Sequence, residues 1–248
     1  MSVYGALAES YDRLTRDVDY DQILAFVQKV LAQNGLHPHS VLDLACGTGS
    51  MSLRLAQAGY QVIGADLSEE MLTMAFDKAV GLDNRPIFIC QPMQRLRLPA
   101  PVDWVFCGLD SINYLTHPAD CRETFRRVFQ CLKPGGMFLF DINTPEKLKA
   151  MDGQVFLDED AEVYCVWRSE YEPEERLCYY GMDLFQRHGS LWQRSFEEHR
   201  EYAYELDEIQ AYLQEAGFSE IDCFGDRSLE PPQPGEQRVY WKAVRGKA

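Results

Sequence analysis

The chain has 248 residues, of which 46% are hydrophobic and 12% aromatic, a composition typical of a folded globular protein. Its formal charge of −15, from 39 acidic and 24 basic residues, disfavours binding to extended nucleic acid or to an anionic membrane. The eight cysteines form neither a C-x-x-C pair nor a Cys/His cluster with zinc spacing. Because the N-terminus also lacks an apolar signal segment, we expect a reduced, cytoplasmic protein without a metal site or a membrane span.

The first 145 residues predict helices alternating with strands. Such alternation is typical of a doubly wound, mostly parallel sheet with helices on both faces and a ligand outside the carboxyl ends of the strands. Helices are predicted from the 3.6-residue apolar period and from capping residues at 20–31, 50–58, from 68 onward, and 121–132. Strands are predicted at 40–44, 61–65, 86–90, 102–107 and 137–142.

The pattern changes near residue 151. Three aromatic, β-prone segments, at 162–168, 176–187 and 191–204, predict an antiparallel meander. A helix at 206–216 and two strands, at 218–224 and 237–244, then return the chain to the first layer. We therefore divide the chain into a core, residues 1–150 and 204–248, and an inserted antiparallel β cap, residues 151–203.

The stretch VLDLACGTGS, residues 41–50, ends a predicted strand in a carboxylate and a turn with two glycines. It could be a tight turn that needs glycine, a dinucleotide site or a site for a cationic nucleoside. The dinucleotide interpretation fits poorly, because Ser52 replaces the third glycine of G-x-G-x-x-G and Asp43 would face a pyrophosphate. S-adenosylmethionine carries a sulfonium and an ammonium but no phosphate, so the carboxylate of Asp43 would attract this ligand.

Asp66 ends the second strand 19 residues after Gly47, where a carboxylate can accept both ribose hydroxyls. With this residue in place, three segments, VLDLACGTG, VIGADLS and LKPGGMFLFDI, resemble the motifs of class I S-adenosylmethionine-dependent methyltransferases. The resemblance implies a Rossmann-like, mostly parallel seven-stranded sheet with the antiparallel cap inserted after its fifth strand. It also implies S-adenosylmethionine as cofactor, bound by Tyr11, Asp43, Ala45, Cys46, Gly47, Gly49, Asp66, Leu67, Met93, Gln94 and Leu109.

By this resemblance, Asp43 helps to hold the ammonium group and Leu67 packs on the adenine. Many members of the family have an acid after the third strand that accepts the adenine amino group. Here Pro92 occupies that position, so adenine recognition is expected to rest on Met93 and Gln94.

On the acceptor side, the segment CGLDSINYL follows the fourth strand and places Asp110 and Asn113 near the reacting atoms by the same resemblance. Asn113 could equally cap the next turn. In the N-terminal helix, which carries Tyr4 as well, Tyr11 is expected either to close the methionine end or only to pack. Four side chains of the cap, Trp167, Tyr179, Phe185 and His199, could face the pocket or form the core of the meander. The candidate catalytic residues are Tyr11, Asp110, Asn113 and His199, the last as a general base.

The resulting hypothesis is in-line methyl transfer to a small-molecule acceptor, with nitrogen favoured because an acidic protein attracts cations. A tRNA or protein methyltransferase, a non-catalytic cofactor-binding protein and an NAD-dependent oxidoreductase stay open as alternatives. The acceptor and the oligomeric state, with a homodimer as one possibility, are not determined by the sequence.

Overall fold

The structure, a computed structural model, describes residues 8–247, so Tyr4 lies outside the described part of the chain. Its strands are β1 Ser40–Leu44, β2 Gln61–Asp66, β3 Ile87–Cys90, β4 Val102–Cys107, β5 Leu132–Asn143, β6 Val155–Glu159, β7 Val163–Glu172, β8 Leu177–His188, β9 Leu191–Tyr202, β10 Ser219–Gly225 and β11 Arg238–Val244. Its helices are α1 Ala8–Leu14, α2 Tyr20–Gln33, α3 Ser50–Gln57, α4 Glu69–Lys78, α5 Pro118–Cys131, α6 Pro145–Ala150 and α7 Leu206–Ala216, with a 3₁₀ turn at Met93–Arg95.

Seven strands form one sheet in the order β10-β11-β5-β4-β1-β2-β3. The pairs from β5 to β3 are parallel, whereas β11 runs antiparallel to both β5 and β10. This arrangement confirms the predicted fold class. The order reverses at β1, whose neighbours are β4 and β2, and ligands of doubly wound sheets bind at such a switch point.

The central strands of this sheet are buried on both faces, as the side chains of β4 show. Trp104 and Phe106 pack on the side covered by α2 and α3, and Val105 and Cys107 pack on the side covered by α5 and α7. A parallel strand buried on both faces reads as a continuous apolar run, which is why VDWVFC was recognisable as a strand.

A second, four-stranded antiparallel sheet has the order β6-β7-β8-β9 and lies between β5 and α7 in the chain. We call it the cap sheet. Three of its strands were predicted, but β6, α6 and the 3₁₀ turn were not. The predicted start of the fifth strand, at residue 137, was also wrong, because β5 begins at Leu132 and has a register shift against β4.

Among the described residues, no helix is both long enough and apolar enough to cross a membrane. No group of three or more metal-ligating side chains is found within residues 8–247 either.

Two glycines make room for one aromatic ring beneath the glycine turn. A Cβ on Gly64 of β2 would lie 2.6 Å from a ring carbon of Phe88, and a Cβ on Gly49 would lie 2.9 Å from the Cβ of Ala75 in α4. The glycines therefore allow β3 and α4 to approach the turn more closely than side chains would permit.

We expect Gly64→Ala to lower the free energy of unfolding by about 1–3 kcal/mol, because the Phe88 ring must move out of a packed position. Urea denaturation monitored by circular dichroism measures the change. Gly246→Ala is the matched control, since its Cβ would meet only Ser219 Oγ at 3.6 Å. Equal stability of the two variants would contradict the close packing around Phe88.

Candidate active site

The carboxyl ends of β1, β2 and β4 meet at one edge of the sheet, where residues at the ends of β1 and β4 line a pocket. Its lining includes Asp43 and Cys46 at the end of β1, Leu109 after β4, and Tyr11 from α1. The structure thus brings together residues that are far apart in the sequence.

Three non-glycine residues beside this pocket have left-handed backbone conformations. Ala45 has φ 58°, and the consecutive residues Leu109 and Asp110 have φ 56° and 52°. Such conformations are costly for residues with a Cβ, and they cluster at ligand sites because the surrounding structure holds them there. The left-handed residues in the turns after β1 and β4 therefore indicate that both turns belong to a binding site.

Asp43 is a carboxylate buried inside the protein. Only 2% of the residue is exposed, and its Oδ2 accepts a hydrogen bond of 2.5 Å from the hydroxyl of Ser52. Burial raises the pKa of Asp43 to about 7, and the nearby charge of Asp66 adds to the effect. A cation bound beside Asp43 would favour its ionised form, so the position suits a ligand with a positive charge.

Asp66 connects the end of β2 to the glycine turn. Its two carboxylate oxygens accept hydrogen bonds from the backbone N–H groups of Gly47, at 2.8 Å, and Ser68, at 2.9 Å. Burial raises the pKa of Asp66 despite these two hydrogen bonds. Each carboxylate oxygen can accept more than one hydrogen bond, so this group fits a ligand that offers hydroxyl donors.

The predicted adenine contacts lie one strand further along the same edge. Leu67 follows β2 directly and is 62% exposed, while Met93 and Gln94 begin the 3₁₀ turn that follows β3. The pairing of Asp66 with Cys90 places these two segments side by side. Pro92 precedes the 3₁₀ turn in an extended conformation, at the position where an acid was expected.

Helix α1 is held over the glycine turn by Asp12, the neighbour of Tyr11. Its carboxylate accepts hydrogen bonds from Thr48 Oγ1, at 2.5 Å, and from Lys78 Nζ, at 2.6 Å. Although partial burial raises the pKa of Asp12, the bonds from Lys78 and Thr48 outweigh this effect and lower it. The neighbouring Tyr11 is thereby held against the pocket.

The other half of the site contains an ion-pair cluster at the ends of β4, β5 and β11. The guanidinium of Arg238 bonds Asp110 Oδ1 at 2.5 Å and also pairs with Asp141, and the Asp110 N–H bonds Asp141 Oδ2 at 3.0 Å. Asp141 is fully buried, and its Oδ1 atom has no hydrogen-bond partner among the described residues. The predicted residue Asp110 is therefore joined to two residues that the sequence analysis missed.

The structure corrects the prediction for Asn113. The residue is completely buried, and its amide nitrogen donates to the carbonyl oxygens of Asn143 and Tyr202, both at 3.0 Å. Its Oδ1 accepts the N–H of Asn143 at 3.0 Å. Because these bonds join the loop after β4 to β5 and β9, Asn113 is a structural residue and not a catalytic one. The alternative of a local cap was wrong as well, since its partners are distant in the sequence.

The four predicted side chains of the cap lie on opposite faces of its sheet. Trp167 and His199 share the inner face, whereas Tyr179 and Phe185 lie on the outer face because side chains alternate along a strand. Of the two alternatives left open by the sequence, Tyr179 and Phe185 therefore do not face the pocket. His199 is 2% exposed and lies near the ring of Tyr114, which follows β4, with 6.1 Å between the ring centroids.

Two carboxylates accompany His199 on the inner face. Glu197 Oε2 lies 3.4 Å from His199 Nε2, and Glu201 accepts a 2.8 Å hydrogen bond from Asn143 Nδ2. Burial and the charge of Asp110 raise the pKa of Glu201 well above its usual range. The sequence contained a signal for this set, because the polar residues of E-x-H-x-E alternate with a period of two and so share one face of β9.

Comparison with known proteins identifies the family to which the chain belongs. A family model described as a methyltransferase domain matches residues 41–136. YqeM of Bacillus subtilis (strain 168), which is provisionally named a methyltransferase, is 33% identical over 247 residues, covering 99% of this chain and 98% of YqeM. The crystal structure of an S-adenosylmethionine-dependent methyltransferase from Clostridium acetobutylicum ATCC 824 is 32% identical, covers 99% of this chain and 100% of its own, and superimposes with a TM-score of 0.88.

The chain is a class I S-adenosylmethionine-dependent methyltransferase. The sugar N-methyltransferase KedS8 from Streptoalloteichus sp ATCC 53650 has the same fold, with a TM-score of 0.82 at 23% identity over 100% of this chain and 97% of KedS8. The residues at this edge of the sheet also fit the cofactor of this family, because Asp43 in the pocket is a buried carboxylate suited to a cation, and Asp66 beside the glycine turn is a second acid suited to hydroxyls. The methyltransferase assignment excludes the NAD-dependent oxidoreductase.

We expect the affinity of this methyltransferase for S-adenosylhomocysteine, which retains the ammonium group, to fall as the pH decreases below about 7. Protonation of Asp43 in this range removes the charge that would attract the ammonium. Asp43→Asn should weaken binding at pH 8 and reduce its pH dependence. Isothermal titration calorimetry at several pH values measures both effects, and an unchanged pH dependence in the variant would show that Asp43 does not interact with the ligand charge.

The same substitution should stabilise the ligand-free protein at pH 8. The pKa of Asp43 is higher in the folded protein than in the unfolded chain, so ionisation of this group costs stability as the pH rises from about 4 through 7. Removal of the charge is expected to raise the free energy of unfolding by up to about 4 kcal/mol at pH 8 and by much less at pH 4. Urea denaturation at the two pH values tests this, and a variant that is less stable at pH 8 would contradict it.

Proposed function

We propose that this methyltransferase transfers a methyl group to the amine of a small polar molecule that binds between the strand ends and the cap sheet. The observation that carries the proposal is the buried carboxyl group of Glu201, with His199 and Glu197 on the same inner face of β9. In this proposal the cap, residues 151–203, selects the acceptor, and the core, residues 1–150 and 204–248, binds the cofactor.

The charges around Glu201 favour a cationic acceptor. Asp110 and Asp141 are compensated by the guanidinium of Arg238, and Glu201 is influenced by Arg238 and Lys147. Three carboxyl groups thus share two cations in a region of low exposure. An incoming ammonium group would supply the missing positive charge and would offset part of the desolvation cost of Glu201.

The same carboxyl group is suited to accept a proton. An amine must lose its proton before it can attack a methyl group, and a carboxylate with a raised pKa accepts that proton more readily than an ordinary one. When S-adenosylmethionine is bound, its sulfonium supplies the activated methyl group. Glu201 would take one proton from the ammonium, and the methylated product would leave as a cation.

Two consecutive residues connect the cofactor pocket to the proposed acceptor region. Leu109 lines the pocket that contains Asp43, and Asp110 bonds Arg238 in the acceptor half. We propose that Leu109, with the other predicted cofactor residues, positions the cofactor and that Tyr11 closes the methionine end. Asp110 would then lie between the methyl group and the acceptor, with His199 as a second group able to exchange a proton.

A wide opening beside this region can take the rest of a polar acceptor. It lies between the end of β5 and the loop before β11, and its lining includes Asn143, Lys147, Gln233, Gln237 and Arg238. Amide and charged groups in such a lining favour a hydrophilic molecule over an apolar one. The name of KedS8, a sugar N-methyltransferase of the same fold, is in keeping with a small polar amine.

We expect Glu201→Gln to lower kcat/KM for amine acceptors by at least about tenfold, in line with the usual contribution of a general base. The amide keeps a hydrogen-bond acceptor for Asn143 but can neither carry the negative charge nor accept the proton. Formation of S-adenosylhomocysteine with a panel of amines, hydroxy compounds and transfer RNA measures the effect.

Glu198→Gln is the matched control, because the neighbouring Glu198 lies on the outer face of β9 and pairs with Arg200. It should retain full activity. Methylation of transfer RNA or of hydroxy compounds in place of amines would refute the amine acceptor. Cofactor binding without turnover of any acceptor would favour a non-catalytic protein.

A further inference from the structure

The turn after β4 forms part of the wall of the cofactor pocket. Gly108, Leu109 and Ser111 all line this pocket. Leu109 and Asp110 are consecutive residues with left-handed backbones, at φ 56° and 52°. Because a residue with a Cβ is unfavourable in this region, two in succession require contacts that hold them there.

Contacts within the turn do not fix its position relative to the sheet. Ser111 Oγ donates to the carbonyl oxygen of Gly108 at 2.7 Å, and the N–H of Asn113 donates to the carbonyl oxygen of Asp110 at 2.8 Å. Both bonds join residues of the same turn. The side chain of Asn113 anchors the far end of the turn to β5 and β9, whereas Leu109 lies at the near end, beside the pocket. The left-handed pair therefore needs an anchor of its own.

Arg238 of β11 provides this anchor through Asp110. Its Nη2 donates to Asp110 Oδ1 at 2.5 Å, and its Nη1 donates to Asp141 Oδ2. The same oxygen of Asp141 accepts the backbone N–H of Asp110 at 3.0 Å. Arg238 thus holds the side chain of Asp110 directly and its backbone through Asp141. A planar guanidinium bonds carboxylates in fixed directions, which suits it to hold a turn in one conformation.

The guanidinium also separates two carboxylates that would otherwise repel each other. The side chains of Asp110 and Asp141 are only 16% and 1% exposed, so water screens this repulsion poorly. Burial raises the pKa of Asp141, the charge of Arg238 opposes this effect, and the charge of Asp110 adds to it. Asp141 is fixed in β5, where it pairs with Tyr240 of β11. Because Asp110 lies in a turn, we expect loss of the guanidinium to displace Asp110 and not Asp141.

We propose that Arg238 is a positioning residue for cofactor binding, which holds the left-handed turn after β4 so that Leu109 keeps its place in the wall of the pocket. Leu109 lines the cofactor pocket and Arg238 lines the wide opening, so Arg238 would act on the cofactor through Asp110 and Leu109. The last strand of the chain would thereby control the affinity of a pocket formed by the first half. The proposal rests on the proposed contact of Leu109 with the cofactor but not on the amine acceptor.

Arg238→Lys tests this role, because lysine keeps the positive charge but not the planar fork that bonds both carboxylates. The affinity for S-adenosylhomocysteine should fall by about tenfold, as expected for the loss of one hydrogen bond between charged groups. Isothermal titration calorimetry measures this affinity. In the ligand-free protein, the backbone amides of residues 108–113 should exchange faster in hydrogen-exchange mass spectrometry, while those of β1 and β4 keep their wild-type rates.

Asp110→Asn is a second test that leaves the buried pair of Asp141 and Arg238 intact. A neutral amide bonds a guanidinium about half as strongly as a carboxylate does, so the same two changes should appear with a smaller size. Arg200→Lys is the matched control, because Arg200 donates two hydrogen bonds to Glu198 on the outer face of the cap sheet. It should keep the wild-type affinity and the wild-type exchange of the turn.

Wild-type affinity or wild-type exchange of the turn in a folded Arg238→Lys protein would overturn the proposal. Faster exchange throughout the large sheet would overturn it as well, since it would show a general loss of stability and not a loosened turn. If Arg238→Lys does not fold, Asp110→Asn decides by the same two measurements. Neither measurement uses an acceptor, so a failure of this proposal is distinguishable from a failure of the amine proposal.

Discussion

The buried carboxyl group of Asp43 is the constraint on which the cofactor half of this methyltransferase depends. Asp43 belongs to β1, where the strand order of the sheet reverses. Its carboxyl group therefore lies where the turns after β1 and β4 diverge. Within the described structure it is held by the hydroxyl of Ser52, a neutral donor, and burial raises its pKa to about 7. Such a group is costly in the free protein and becomes favourable when a cation lies beside it.

Other features that cost free energy are concentrated at the same edge of the sheet. Ala45, Leu109 and Asp110 have left-handed backbones, and Asp141 carries a buried oxygen without a hydrogen-bond partner among the described residues. Strain of this kind persists only when neighbouring structure imposes it. At the turn after β1 the hydrogen bond from Gly47 to Asp66 supplies that support, and at Asp110 the bonds to Arg238 and Asp141 supply it. Stability elsewhere in the sheet thus maintains a site that is unfavourable on its own.

The region between the ends of β4 and β5 and the cap sheet is assembled in a different way, by contacts between residues distant in the sequence. Asn113 joins β5 to β9 by side-chain hydrogen bonds, and Arg238 joins the ends of β4 and β5 to β11. These contacts bring the inner face of the cap against the loop after β4.

Local patterns predicted much of this protein. Apolar periods and glycine stops located the strands and helices of the core, and the spacing of Gly47 and Asp66 indicated a nucleoside site, because such motifs act over one strand-turn-helix unit. The short strand β6 and helix α6 were missed since five or six residues carry too little periodicity. The faces of Tyr179 and Phe185 were also missed, although alternation along β8 separates them from the inner face.

The sequence by itself therefore determined the type of sheet, the position of the glycine turn and the acids at the ends of β1 and β2. Only the tertiary structure decided that Asn113 joins β5 to β9, that Arg238 compensates Asp110 and Asp141, and that Asn143 bonds Glu201. The physical reason is distance along the chain: a hydrogen bond between residues 113 and 202, or an ion pair between 110 and 238, leaves no local pattern. Such contacts exist only once the strands are packed.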